Sequence, residues 1–371
     1  MRVVIDATPL LIRSAGVKTY LYHWIRELRR LAGEVEIRTF PRMGDLGPLT
    51  HERPVTGFWR ACTGLGSLAL ANYAQAPLAA WAARGADIFH TTHLLRRPPR
   101  SVRLTATIHD MTCWLMPEMH PAANLRAERN FAEILKRADA VIAVSESTRR
   151  DAVRVLGLDP EKVEAIHSGI SQAFFDVPTA AIERVKQRYG LIRPFLLFVG
   201  TIEPRKNIDT LLDAYSSLAA ALREEFELVL AGPTGWARPK TLARLQETRY
   251  LGYIPEDDLA PLTAAATVFV YPSLYEGFGF PVAQALAAGV PVVTSDVSSL
   301  PEVAGDAALL VDPRSTANLR EALARLLLSP DLRKELAARG RVRARQLTWE
   351  RCAARSLEFF ERVAGAEKTA P

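Results

Sequence analysis

The sequence predicts an α/β protein of two doubly wound domains, each a parallel sheet covered by helices on both faces. Three observations carry this. Short apolar, β-branched runs alternate with amphipathic helical patterns from one end of the 371 residues to the other. The strand runs are near-continuously apolar, as in parallel sheets buried on both sides. The alternation also starts afresh after an irregular stretch near 171–179, and about a dozen strands exceed what one open sheet usually holds.

In the first half, strands are expected at 2–6, 34–40, 87–90, 104–110, 140–144 and 163–167, with helices at 17–31, 122–137 and 147–156. In the second half, strands are expected at 195–200, 226–232, 249–253, 267–271, 291–294 and 308–312. Helices at 209–222, 239–248, 281–288 and 317–328 fill the gaps. The domains divide as 1–172 and 173–348, a terminal helix at about 349–366 packing back on the first, and the tail after Ala364 frays. Ligands of such sheets bind beyond the carboxyl ends of the strands, so two facing sheets would enclose a cleft between them.

Composition removes several classes. At 49% apolar and 24% charged, the chain is neither disordered nor fibrous. Cys62, Cys113 and Cys352 are scattered, without CxxC or a Cys/His cluster, which argues against structural zinc and a disulfide framework and suits a reducing cytoplasm. The opening MRVVIDATPLL is interrupted by Asp6 and reads as a first strand rather than a leader. The uncharged run 61–83 contains Asn72, Gln75 and Pro77, so a buried or interfacial helix is expected there rather than a membrane span. Residues 1–190 hold 26 Lys and Arg against 19 Asp and Glu, a balance of +7, while 191–371 come to −1. Either the first half has a solvated arginine-rich surface, or it meets an anionic partner such as a membrane. No nucleic-acid motif accompanies it.

The chemistry-bearing residues fall after strands. Following the run that ends at Gly200 come Thr201, Ile202, Glu203, Pro204, Arg205, Lys206 and Asn207, then a helix. Arginine's fork, lysine's point charge and free N–H groups at a helix start make an anion site sized for a diphosphate. The same residues also fit a solvated loop with Asn207 capping the helix. After the strand ending at Tyr271, Glu276 sits in a turn with Gly277, Phe278, Gly279 and Phe280 before a helix opening at Pro281 and carrying Gln284. The glycines let backbone approach a ligand, and a carboxylate there accepts from sugar hydroxyls.

These segments resemble the donor-binding domain of the retaining glycosyltransferases of family four, enzymes of the two-domain GT-B fold. Their EGFGxPxxEAxAxGxPVV pattern is matched from Glu276, except that Gln284 stands where the second Glu belongs, and GTxExRKN is matched from Gly200 to Asn207. The LGYIPEDDL element containing Tyr253, Pro301-Glu302 and Thr348-Trp349-Glu350 extend the likeness. Within that element, Glu256, Asp257 and Asp258 read as a helix start rather than a metal-binding DxD. The first half resembles the family more loosely. Gly16 lies in the expected glycine-rich loop, with Lys18 replacing its second glycine, and His109-Asp110 matches the family's HD element. Ser145 is expected to cap a helix with Glu146 in its first turn.

The resemblance implies retaining transfer of a hexose, mannose foremost, from a nucleotide-diphosphate sugar to an acceptor hydroxyl in polysaccharide or glycolipid assembly. Catalysis would rest on His109, Glu276, Arg205 and Lys206. Donor contacts would come from Gly16, Gly200, Glu203, Tyr253, Gly277, Phe278, Gly279, Phe280 and Gln284. No metal and no cofactor is expected. GDP-mannose is the favoured donor and a UDP-sugar the other. The expected acceptor is a glycan or lipid-linked sugar, met in the cytoplasm at the inner face of an anionic membrane. The competing readings are a nucleotide-sugar epimerase or phosphorylase of the same fold, or a non-catalytic nucleotide-sugar binding subunit. A dinucleotide oxidoreductase is disfavoured because no GxGxxG follows a strand.

Overall fold

The computed structural model describes residues 1–246 and 248–366, and the chain divides into two compact units. Unit 1 comprises residues 1–169 and the C-terminal helix; unit 2 comprises Ile170–Thr348.

Unit 1 is built on β1 (Arg2–Asp6), β2 (Glu36–Phe40), β3 (Ile88–Thr91), β4 (Arg103–Ile108), β5 (Ala140–Ala143) and β6 (Val163–Ala165). All pair in parallel, in the order β2-β1-β3-β4-β5-β6. Its helices are α1 (Gly16–Leu31), α2 (Phe58–Asn72), α3 (Leu78–Ala82), α4 (Thr112–Leu115), α5 (Ala122–Arg137) and α6 (Glu146–Leu156). Strand order reverses between β1 and β3. There the buried carboxylate of Asp6 accepts from the backbone N–H of Thr8 and from the N–H and hydroxyl of Thr92, fixing both loops that leave the sheet.

Unit 2 adds α7 (Thr179–Tyr189), β7 (Phe195–Val199), α8 (Ile208–Ser216), α9 (Ala220–Glu225), β8 (Glu227–Ala231), α10 (Pro239–Leu245), β9 (Arg249–Tyr250) and α11 (Glu256–Ala265). It continues with β10 (Val268–Tyr271), α12 (Phe280–Ala288), β11 (Val292–Ser295), α13 (Leu300–Ala304), β12 (Ala308–Val311), α14 (Thr316–Leu328) and α15 (Pro330–Ala344). The sheet is again parallel, in the order β12-β11-β10-β7-β8-β9, so its switch point lies between β7 and β10.

The terminal helix α16 (Trp349–Gly365) belongs to unit 1, where it packs along α1. Trp24 Nε1 donates to Ser356 Oγ at 2.9 Å, the His23 and Trp349 rings stack at 5.4 Å, and Arg30 pairs with Glu350. The helix ends at Gly365, and residues 367–371, where the expected fraying falls, lie outside the described residues.

Three local expectations are corrected. The helix expected at 209–222 is two helices: the last turn of α8 tightens, the Leu218 N–H donating only three residues back to the Tyr215 carbonyl, and the Ser216 and Ser217 hydroxyls cap the Asp213 carbonyl. The strand expected at 249–253 is only Arg249–Tyr250, which leaves Tyr253 in the following loop. The helix expected at 239–248 ends at Leu245, and residue 247 of that span lies outside the described residues.

Candidate active site

In unit 2 the loops leaving β7 and β10 flank the switch point, where a doubly wound sheet places its ligand. After Gly200, residues Pro204–Lys206 form a 3₁₀ turn and Asn207 adopts the left-handed conformation, φ 59°. Asn207 makes no side-chain cap to α8. Its amide instead donates to the carbonyls of Pro272 (3.0 Å) and Pro313 (2.6 Å). The N–H of Leu274 donates to the Arg205 carbonyl at 2.8 Å. The two loops are thus stitched together before any ionised group is considered.

The charged groups then converge. Arg205 lies 2.7 Å from Glu203 Oε1 and 2.9 Å from Glu276 Oε2, and its Nη1 donates to the Tyr275 carbonyl at 3.1 Å. Lys206 Nζ donates to Glu276 Oε1 (2.5 Å) and to the Tyr271 hydroxyl (2.6 Å). Glu203, Lys206 and Glu276 are buried and Arg205 is half-buried. Burial alone pushes the Glu276 carboxyl up, but the charges of Arg205 and Lys206 and their hydrogen bonds outweigh it and hold the group at about 2. Burial, reinforced by the Arg205 charge, lowers Lys206 below the ordinary lysine range. Two cations and two carboxylates balance, as buried charges must.

Glu276 is also fixed through its backbone. Its N–H donates to Ser298 Oγ at 3.0 Å, and Ser299 Oγ donates to its carbonyl at 2.9 Å. Sequence reasoning did not single out Ser298, Ser299 or Tyr271 as site residues; the signal was present in the polar DVSSL run directly after β11. Gly279, φ 91°, precedes α12, and a Cβ there would fall 2.7 Å from Leu300 Cδ2, so only glycine fits this turn. The rings of Phe278 and Phe280 meet edge to face at 5.2 Å beside it. Gly277 is buried in the same loop, Gly200 closes β7, and Gln284 is half-buried on α12. Asp258 accepts from the Tyr189 hydroxyl and pairs with Arg188, both at 2.8 Å, which ties the N-terminus of α11 to α7. Among the described residues, no group of three His, Cys, Asp or Glu could hold a metal ion.

Unit 1 holds the two remaining residues. His109 directly follows β4, its ring edge-on to Tyr20 at 4.8 Å. Burial, then the neighbouring His93, lowers it to about 3, so it is neutral at physiological pH. Gly16 opens α1, and a Cβ there would meet open space, so packing does not demand glycine. Lys18 is not a loop residue but lies inside α1, buried, with Nζ donating to the carbonyls of Ile12 (2.7 Å) and Arg53 (2.6 Å). Ser145 caps α6, its Oγ accepting from the Thr148 N–H.

Two parallel, doubly wound α/β units, the second with a buried Arg–Lys–Glu cluster at its switch point, have the architecture of the GT-B fold. Residues 14–174 match the model described as Glycosyltransferase Family 4, and residues 182–343 match that described as Glycosyl transferases group 1. O-antigen chain mannosyltransferase B of Escherichia coli is 36% identical over 293 residues, 76% of each chain. Among solved structures, sucrose-phosphate synthase of Thermosynechococcus elongatus superposes with TM-score 0.74 at 22% identity, covering 99% of this chain and all of that one. Anabaena HepE, solved with UDP and glucose, gives 0.71 at 17% identity, covering 98% of this chain and all of that one. The chain belongs to the family-four glycosyltransferases.

Proposed function

We propose that the protein transfers a hexose, mannose foremost, from a nucleotide-diphosphate sugar to an acceptor hydroxyl with retention of the anomeric configuration, in polysaccharide or glycolipid assembly. The observation that carries this is the buried convergence of Arg205, Lys206 and Glu276. Breaking the sugar–phosphate bond puts charge on the leaving diphosphate, and cations held in place before the reaction stabilise that charge without reorganising. Arg205 and Lys206 take that role, while Glu276, kept ionised, accepts from sugar hydroxyls. Gln284 accepts from the ribose hydroxyls through its amide oxygen. Gly200, Glu203, Tyr253, Gly277, Phe278, Gly279 and Phe280 line the donor site. In unit 1, Gly16 offers backbone N–H to phosphate and the neutral His109 meets the transferred sugar. The chemistry runs without a metal or cofactor.

The relative named as an O-antigen mannosyltransferase supports mannose as the hexose, and GDP-mannose is taken ahead of a UDP-sugar as the donor. The acceptor is a glycan or lipid-linked sugar at the inner face of an anionic membrane; among the described residues, no helix is long and apolar enough to cross one. The test is nucleotide-sugar turnover with and without a mannose-terminated acceptor, across GDP- and UDP-sugars, with the product linkage read by NMR. Acceptor-dependent release of GDP and an α-linked product support the reading. Nucleotide binding without turnover on any acceptor would make the chain a binding subunit, the alternative that Gln284 and Lys18 keep open.

A further inference from the structure

The helix α12 opens on the donor loop at Phe280 and closes at Ala288, and its nine residues set the two ends about 13 Å apart. At the closing end, still within unit 2, lies a cavity of about 320 Å³, at the small end of the range for ligand sites. Ala287 of α12 and the ring of Phe175 give it apolar wall. The rest of its lining is polar. Gln172 and Asp176 come from the segment between Ile170 and α7, and Arg341 and Arg345 come from the end of α15.

The two arginines are held differently. Arg341 lies across Gly289, φ 71°, where a Cβ would run into its Nε, so the bare backbone is what admits the side chain. Its Nη2 donates to the Ala288 carbonyl at 3.3 Å and sets a cation against the negative end of α12. That bond uses one of the guanidinium's five N–H donors. Arg345 stands one helical turn further on, and its guanidinium has no hydrogen bond or ion pair among the described residues. The one carboxylate among the lining residues, Asp176, accepts from Gln172 Nε2 at 3.3 Å. Arg341 thus answers the helix end, and the charge of Arg345 is left over.

The surplus cation and the opposite wall select a ligand class. The oxygens of a phosphomonoester accept from two guanidinium forks at once. Across from them Asp176 accepts from hydroxyls, the Gln172 amide can donate or accept, and the Phe175 ring offers an apolar face to the C–H side of a pyranose. A cavity of this size admits a hexose phosphate rather than a whole nucleotide sugar. We propose that it is a second ligand site of unit 2, apart from the donor site, which binds a phosphorylated sugar through Arg341 and Arg345. The site stands whether or not the donor assignment holds.

Calorimetric titration of the full-length protein with mannose 1-phosphate, mannose 6-phosphate, glucose 6-phosphate, mannose and inorganic phosphate tests it, each with and without saturating GDP. At least one sugar phosphate is expected to bind roughly tenfold or more tighter than mannose or inorganic phosphate, with GDP present or absent. Arg345→Glu, at an exposed position outside the donor machinery, should lower that affinity by roughly tenfold or more and leave the thermal melt, GDP binding and basal turnover unchanged. Four results overturn the proposal: no sugar phosphate binds, inorganic phosphate binds as tightly, GDP displaces the ligand into the donor site's account, or Arg345→Glu binds as the wild type does. If GDP itself fails to bind while the sugar phosphate still does, only the donor assignment falls.

Discussion

Lys206 and Glu276 stand 70 residues apart in the chain, yet the ammonium of the first lies 2.5 Å from Oε1 of the second in a buried site. The contact joins the loops of two strands adjacent in the sheet, β7 and β10, so the fold itself creates the pair. Arg205 holds the other carboxylate oxygen at 2.9 Å, so neither cation is the sole partner of Glu276.

Lys206→Ala leaves Arg205 as the one cation for the buried Glu203 and Glu276, so it should melt below the wild type, and in the folded protein it should lower turnover by roughly 10²-fold or more, as loss of a transition-state donor does. Steady-state kinetics beside a thermal melt check this. Near-normal turnover in the folded variant removes Lys206 from the mechanism.

The same cluster gives an acid signature. Glu276 is held at about 2 against an ordinary 4.5, so the folded state releases this proton more readily than the unfolded chain. Its stabilising contribution is fully present above about pH 4.5 and is lost as pH falls towards 2. Urea midpoints of the wild type and Glu276→Gln should differ at pH 7 and draw together below pH 4.5. A constant difference across that window would show that the ion pairs do not stabilise the fold.

Gln284 supplies a graded test. Gln284→Glu should match or tighten nucleotide binding, and Gln284→Leu should weaken it by ~1–3 kcal/mol by leaving a ribose hydroxyl unpaired. Calorimetric titration with GDP and UDP decides, and equal affinity for all three forms would place this side chain away from the nucleotide.

Metal dependence is settled by chelation. Transfer is expected to persist in excess EDTA if Arg205 and Lys206 carry the leaving diphosphate as proposed. Complete loss reversed by magnesium would mean that the diphosphate needs a bound ion.

What was legible in the sequence follows from what each signal depends on. The strands were readable because parallel strands buried on both faces are apolar throughout, and β1 and the helix at 122–137 fall where expected. That Arg205, Lys206 and Glu276 lie in loops at the carboxyl ends of strands was readable from the strand pattern. Their mutual pairing was not, since it depends on strand order rather than spacing. Asn207 looked like a helix cap, yet its amide bridges two distant carbonyls, a choice that only the assembled loops offer. The outward turn of Trp59 and Leu70 was equally hidden, because an uncharged run reads the same whether its large residues point in or out.

Lys18 reaches back from α1 to two carbonyls, Ile12 and Arg53, and the neighbouring Ser14 N–H donates to the His51 carbonyl. A glycine at this position would leave residues 12–16 many backbone conformations, and ordering each residue costs about 1–2 kcal/mol. The lysine shifts that entropic loss from the moment of ligand capture to the folding of the chain. If Gly16 meets the donor phosphate as proposed, a nucleotide sugar finds this loop already set, and its capture does not wait for the loop to order.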